Sequence, residues 1–205
     1  MSSFSSQRWC QRQKNDPYVK LRQKAGYRSR AAFKLLQLHE KYRLFSPNQR
    51  VIDIGAAPGG WSQMLAQWIG PKGQVFAIDC LPMDPLPGVQ FLQGDFTDPD
   101  VHAQLLALMQ DVQLDWVVSD IAPNISGIRA VDQARMMHLC ELCLDLAHTV
   151  LKPKGGLIVK IFQGEGFDEF RKQILQHFRQ VKIFKPDASR NESREMYLIA
   201  RDYNV

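Results

Sequence analysis

Three aspartates in this chain stand where an extended apolar run gives way to a loop. Asp79 follows QVFAI, Asp95 lies in GDF after VQFLQ, and Asp120 follows WVVS. Ahead of them, VIDIGAAPGGW arranges Gly55, Gly59 and Gly60 as a G-x-x-x-G-G loop. Each feature alone is weak, because an aspartate after a strand is commonly a turn or cap residue. Together they describe a ligand site. A dinucleotide fingerprint would need glycine at the position of Ala57, so that backbone can approach a pyrophosphate, and Pro58 has no N–H to offer one. The loop can come close to a ligand at Gly59 and Gly60 but offers a phosphate few amides. Asp79 is placed to take both hydroxyls of a ribose, and Asp95 to meet an adenine amino group. Three carboxylates around one pocket repel phosphates and suit a cation. S-adenosylmethionine carries adenosine, an ammonium and a sulfonium, and no phosphate, so it fits this set better than a nicotinamide cofactor.

The elements that must position these residues alternate along the chain. The pattern predicts a helix from Arg30 to Lys41 with Ser29 as its N-cap, then a strand at Arg50–Gly55 and a helix at Trp61–Trp68. Strands follow at Gln74–Asp79 and Val89–Gln93, a helix at Val101–Gln110, and a strand at Leu114–Asp120. A long helix, Val131–Leu151, is ended by Pro153 and Gly155. The strand Leu157–Phe162 and the helix Phe167–Phe178 come next. Two last strands, Val181–Lys185 and Glu195–Ala200, are joined without a helix. This is the pattern of an α/β fold, a mostly parallel sheet with helices on both faces. The helix-free join makes the final strand antiparallel.

Charge divides the chain in two. The first fifty residues hold twelve Lys and Arg against Asp16 and Glu40, while the whole chain is only +5, so residues 51–205 are net negative. Residues 1–29 read as a basic arm, with Trp9, Tyr18 and Tyr27 interleaved among its cations, and residues 30–205 as the body. Cations against phosphates give affinity and aromatics can stack on exposed bases, so the arm is read as RNA-binding rather than as a solvated tail. Arg190, Arg194 and Arg201 extend the track. An apolar content of 45% is ordinary for a globular chain. No apolar run reaches membrane-spanning length, and the N-terminus lacks the apolar stretch of a secretory signal. Four cysteines make no disulfide framework, so a reducing cytoplasm is expected. Cys140-x-x-Cys143 resembles half a zinc site, but Met136, Cys140, Cys143, Ala147 and Val150 share one helical face and no second ligand pair exists. No metal is expected.

Other polar residues stay ambiguous on this reading. Lys160, inside LIVKIF, is as readily a strand-end lysine with its head in water as a site residue. Glu195 alone reads as a solvated strand residue, and Lys34 as part of a charged helix face.

Five motifs in order remove much of that ambiguity: GYRSRAAFKL, DIGAAPGGWSQ, VVSDIAPNISG, GGLIVKIFQGEGFDEF and SRNESREMYLIA. With them the chain, from about Ser5 to Ala200, resembles the FtsJ/RrmJ family of ribosomal RNA 2′-O-methyltransferases, and within it the bacterial large-subunit uridine enzymes. The resemblance implies a Rossmann-like class I methyltransferase sheet of seven mostly parallel strands, the last antiparallel. It implies a catalytic tetrad of Lys34, Asp120, Lys160 and Glu195, and cofactor contacts at Gly59, Trp61, Asp79, Asp95 and Asp120. It further implies S-adenosylmethionine as cofactor, ribosomal RNA in the large subunit or its precursor as partner, and a monomeric cytoplasmic enzyme. The family's start also matches the basic arm, leaving almost nothing for a mitochondrial presequence. A ribose hydroxyl needs in-line positioning and a proton acceptor, and that role falls to Lys160. A neighbouring cation and burial favour a neutral lysine while Asp120 and Glu195 favour a charged one, so the sequence leaves its protonation open.

Overall fold

A computed structural model describes residues 17–190 and 193–204 of the chain. Most of the expected basic arm, including Trp9, lies outside them. The described residues run α1 (Pro17–Ala25), α2 (Ala32–Tyr42), β1 (Arg50–Ile54), α3 (Gly60–Ile69), β2 (Gln74–Asp79), β3 (Val89–Gln93), α4 (Pro99–Met109) and β4 (Leu114–Ser119). They continue with α5 (Arg129–Val150), β5 (Leu151–Phe162), α6 (Phe167–His177), β6 (Phe178–Phe184) and β7 (Glu195–Tyr203). The seven strands form one sheet in the order β3-β2-β1-β4-β5-β7-β6. Its first five neighbours are parallel, and β7 runs antiparallel to both β5 and β6. Strand order reverses between β1 and β4, which opens a crevice beyond their carboxyl ends.

Alternation sorts each strand between two cores. Val51, Val75, Val118, Ile158, Tyr197 and Ile199 face α2 and α3. Ile52, Ile54, Phe76, Val117, Val159 and Leu198 face α4, α5 and α6.

Several local expectations change. The helix α1 has no counterpart in the sequence reading, because its residues are mostly polar and bury none of their number. Ser29 does not cap α2; the cap position is Ala31, without a side-chain bond. Ser29 instead fills the space above Gly60, where a Cβ would lie 2.1 Å from its hydroxyl. Pro153 and Gly155 do not separate helix from strand. β5 begins directly at Leu151 and absorbs them in an irregularity, pairing Leu114 with Leu151 and then Trp116 with Gly156. Tyr18 and Tyr27, read as stacking surfaces for bases, both pack on Phe33, at 5.3 and 5.4 Å between ring centroids.

Candidate active site

Register brings the charged residues together. β4 and β5 pair Val118 with Ile158 and Ser119 with Val159. One residue further on, the same register sets Asp120 beside Lys160. β5 and β7 pair Lys160 with Tyr197 and Phe162 with Glu195. Paired positions share a face, so Lys160 and Tyr197 stand on the side covered by α2 and α3. Lys34 reaches them from α2, whose Ala32, Leu35 and Leu38 are buried on the same side.

The four expected tetrad residues meet as a chain of alternating charge. Glu195 Oε1 lies 2.6 Å from Lys34 Nζ, which lies 3.5 Å from Asp120 Oδ1. The same Oδ1 is 3.1 Å from Lys160 Nζ, and Lys160 also donates to the Asp120 carbonyl. The Tyr197 hydroxyl donates to Asp120 Oδ1 at 2.5 Å. Ser189 Oγ donates to Glu195 Oε1 at 3.0 Å. Burial pushes the Asp120 carboxyl up, but Lys160, Lys34 and the Tyr197 hydroxyl outweigh it and hold the pKa below its ordinary value. Burial pulls Lys34 down, but the carboxylates of Asp120 and Glu195 prevail and raise it. Burial, with the same two carboxylates beside it, drives the Tyr197 phenol far up, so it stays a donor.

A cavity of about 440 Å³ opens beside Asp120 at the strand-order reversal. Its wall takes Gly55 and Ala57 from the glycine loop, Asp79 from β2, Asp95 after β3, Asp120 to Asn124 after β4, and Arg135 and His138 from α5. Asp79 and Asp95 bring carboxylates to this wall, Asp120 is shared with the lysines, and Arg135 is its arginine. Asp79 braces the loop, accepting from Ala57 N at 2.9 Å on Oδ2 and from Leu81 N at 2.8 Å on Oδ1. Asp95 Oδ1 accepts both the Thr97 amide and hydroxyl, and these bonds depress its pKa. Gly55 has φ of 79°, and a Cβ there would meet the Ile121 backbone at 2.7 Å. The floor of the cavity therefore requires glycine.

A second buried carboxylate lies under the loop. Asp53 on β1 accepts from Ser62 Oγ at 2.6 Å through Oδ2, while Oδ1 has no partner among the described residues. Burial pushes its pKa up to about 7, against the opposing pull of Ser62. Among the described residues no three His, Cys, Asp or Glu side chains converge as a metal site would need. Cys140 and Cys143 are both buried in the core beside α5.

Residues 27–203 match the FtsJ-like methyltransferases. The chain belongs to that family. A ribosomal RNA large subunit methyltransferase E from Marinobacter nauticus is 53% identical over 203 residues, covering 99% of this chain and 98% of its own. The protein of that name from Pseudomonas aeruginosa is 53% identical over 201 residues, covering 98% and 97%. A crystal structure of a ribosomal RNA methyltransferase from Plasmodium falciparum superposes with a TM-score of 0.77 at 29% identity, over 86% of this chain and 98% of the other. The seven-stranded sheet with its antiparallel β7 is thus the fold of an FtsJ-like methyltransferase, and the chain is an enzyme.

Not every expected site residue of this FtsJ-like methyltransferase reaches the cavity wall. Asp79, Asp95 and Asp120 line it; Gly59, at the end of the loop, and Trp61, in the first turn of α3, do not. Trp61 is buried, donates from Nε1 to the Ala31 carbonyl at 2.8 Å, and packs against Tyr197 at 5.7 Å. A Cβ on Gly59 would meet Met83, Leu86 and Arg28. The room left by Gly59 and Gly60 is taken by the chain itself. Arg28 donates to the Asp84 and Pro85 carbonyls, and Gln63 bonds both Gly26 O and Arg28 N. The end of the expected arm is therefore packed on the loop it precedes. Tyr197, Ser189, Asp53 and Ser62 were not singled out from sequence. Tyr197 alone had a signal there, two residues after Glu195 and so on the same strand face.

Proposed function

We propose that this FtsJ-like methyltransferase moves a methyl group from S-adenosylmethionine to a ribose 2′-hydroxyl, that of a uridine, in large-subunit ribosomal RNA. The observation that carries the reading is the double position of Asp120. It lines the cofactor cavity and it is the hub on which Lys160, Lys34 and Tyr197 converge. Bound in the cavity, S-adenosylmethionine supplies a methyl already activated by its sulfonium. Asp79 and Asp95 hold the adenosine, with Gly59 closing the loop and Trp61 supporting it at the start of α3. The chain must then place a hydroxyl in line, accept its proton and keep water out. Lys160 Nζ accepts the proton or steers the hydroxyl's lone pair. Asp120 orients Lys160, while Lys34 and Glu195 position the ribose. Tyr197 fixes the Asp120 carboxylate by donating to the same oxygen that the lysines contact.

The substrate is ribosomal RNA within the large subunit or its precursor, met by a monomer in the cytoplasm. Lys20 and Lys24, exposed on α1, join the basic residues ahead of them in contacting phosphates. No described helix is long and apolar enough to cross a membrane.

Two measurements test this. Titration calorimetry should detect S-adenosylmethionine or S-adenosylhomocysteine, and Asp79→Ala should weaken binding by about 1.5–3 kcal/mol, the worth of a charged hydrogen bond. Tight NADH binding with no response to S-adenosylhomocysteine would sink the reading. Mapping 2′-O-methyl groups in ribosomal RNA from cells with and without the gene identifies the nucleotide; an unchanged map refutes the substrate.

A further inference from the structure

The segment that leaves β4 at Asp120 has two sides. Ile121, Ala122, Pro123 and Asn124 line the cofactor cavity. Directly after them the chain turns its largest side chains to water: Ile125 is 65% exposed, Ile128 61%, and Val131, at the start of α5, 37%. Single exposed apolar residues are ordinary, but three on one short segment beside a reaction cavity are not.

The segment is also firmly held. Asp132 is only 5% exposed. Its Oδ1 accepts the Ser126 amide and hydroxyl, both at 2.7 Å, and its Oδ2 accepts the Gly127 amide at 3.2 Å. Ser126 Oγ accepts in turn from the Ile128 amide at 3.1 Å, and Arg135 donates to the Asn124 carbonyl at 3.2 Å. Behind it, Gln133 donates to the Phe162 and Glu165 carbonyls and ties α5 to the end of β5. A buried carboxylate thus fixes a conformation whose outcome is two isoleucines standing in solvent.

The charges around them select an occupant. Arg129, next to Ile128 in sequence, and Arg135, which donates to the carbonyl of Asn124 just before Ile125, are both exposed. The one carboxylate of this segment, Asp132, is engaged by the loop's own hydrogen bonds. An apolar tip with exposed cations beside it matches a polynucleotide whose base has left its stack, with phosphates to the arginines and the face of the base to the isoleucines. The recessed site asks for such a base. The side chains of Lys160 and Asp120 are 7% and 12% exposed, so a hydroxyl on the surface of an A-form helix does not reach them. The ribose must be drawn out of the helix, and its neighbours lose a stacking partner.

We propose that Ile125 and Ile128 form an apolar wedge that takes the face of a nucleobase unstacked when the target ribose enters the site. The proposal rests on the RNA reading above. The test uses the full chain with Ile125→Ser and Ile128→Ser together, two exposed positions whose replacement leaves the core untouched. One substrate is a protein-free RNA hairpin carrying the mapped nucleotide, with 2-aminopurine beside it; the other is an unstructured RNA of the same local sequence. The double variant should lose roughly ten- to hundredfold in kcat/KM on the hairpin, because an unassisted unstacking step is costly. On the unstructured RNA it should lose less than about threefold. The rise in 2-aminopurine fluorescence on binding the wild type should disappear, and S-adenosylhomocysteine affinity should not change. Equal rates for variant and wild type on both RNAs overturn the wedge, and so does an equal loss on both. A loss confined to assembled subunits, with the hairpin unaffected, also overturns it and assigns the patch to a ribosomal protein. Failure of the wild type on both RNAs and on assembled large subunits alike overturns the function itself and is distinct from all of these.

Discussion

Asp53 and Asp120 are two buried aspartates at the carboxyl ends of neighbouring strands, and they behave oppositely. Asp53 has Ser62 as its bonded partner, and burial carries its pKa to about 7. Asp120 feels the same pressure, yet Lys160, Lys34 and Tyr197 hold it below the ordinary value. Burial sets the pressure and the partners set the sign. Under the loop, a carboxyl near neutrality serves packing with one hydroxyl. At β4, a carboxylate fixed in its charged form can organise two lysines, and that is the end to which the proposed mechanism assigns the proton transfer.

The strongest way to break the contrast is to strip Asp120 of its nearest cation. Lys160→Met should lower single-turnover methyl transfer by about 10²–10⁴, the usual cost of losing an acid–base group, while cofactor and RNA still bind. Lys160→Arg should be nearly as damaging, since a guanidinium does not accept a proton, whereas Lys34→Arg should be milder. Near-wild-type rates in Lys160→Arg would leave Lys160 as a holding charge. The same Lys160→Met change should push Asp120 toward the behaviour of Asp53. A depressed carboxyl contributes stability that is present above its unfolded pKa and lost as pH falls through the folded one. Urea midpoints of Lys160→Met should therefore fall less steeply on the acid side than those of the wild type, because the part of that decline owed to Asp120 shrinks.

A second substitution acts on the other carboxyl. Because the folded pKa of Asp53 is raised from 3.8 to about 7, the folded chain holds its proton more tightly than the unfolded chain does. Stability therefore falls as pH rises across that window, by up to about 4 kcal/mol. Asp53→Asn keeps an acceptor for Ser62 and cannot ionise. It should match the wild type near the acid end of the window and exceed it at pH 8. Parallel urea curves at both pH values would show that Asp53 does not titrate there. The smallest change expected comes from Tyr197→Phe. It removes one of several donors to Asp120 and should cost about 1.5–3 kcal/mol at neutral pH, with turnover kept within roughly tenfold. A loss as deep as that of Lys160→Met would move the phenol into the chemistry.

Much of this arrangement was legible in the chain. β2 and β3 match their expected bounds, because short apolar runs closed by aspartate or glycine leave little room for slippage. The alternating elements and helix-free final join gave the sheet and its antiparallel strand. What stayed hidden depended on tertiary partners. α1 buries no residue and carries no apolar stripe, so periodicity is silent there. Pro153 and Gly155 read as a stop, but the sheet accommodates them between the Leu114–Leu151 and Trp116–Gly156 pairs. Gly59 and Gly60 announced a close approach without saying that Arg28 and Ser29 make it. Lys160 and Glu195 had no distinctive local pattern, and only the motifs around them pointed to a site. Asp53 sits in the same motif as the glycine loop, and nothing in its type foretold that it would lack a cation.

The position of β7 has a consequence in time. It is inserted between β5 and β6, and it brings both Glu195 and Tyr197 to residues that leave the ribosome earlier. Until that late strand threads into the sheet, Lys34 has no Glu195 and Asp120 has no Tyr197. The methyl-transfer machinery is then complete only in a molecule that has finished folding, because its most sequence-distant contact closes the sheet and the charge network together. Under the proposed mechanism, an intermediate that lacks β7 should transfer no methyl group, and activity should appear during refolding together with β7 insertion.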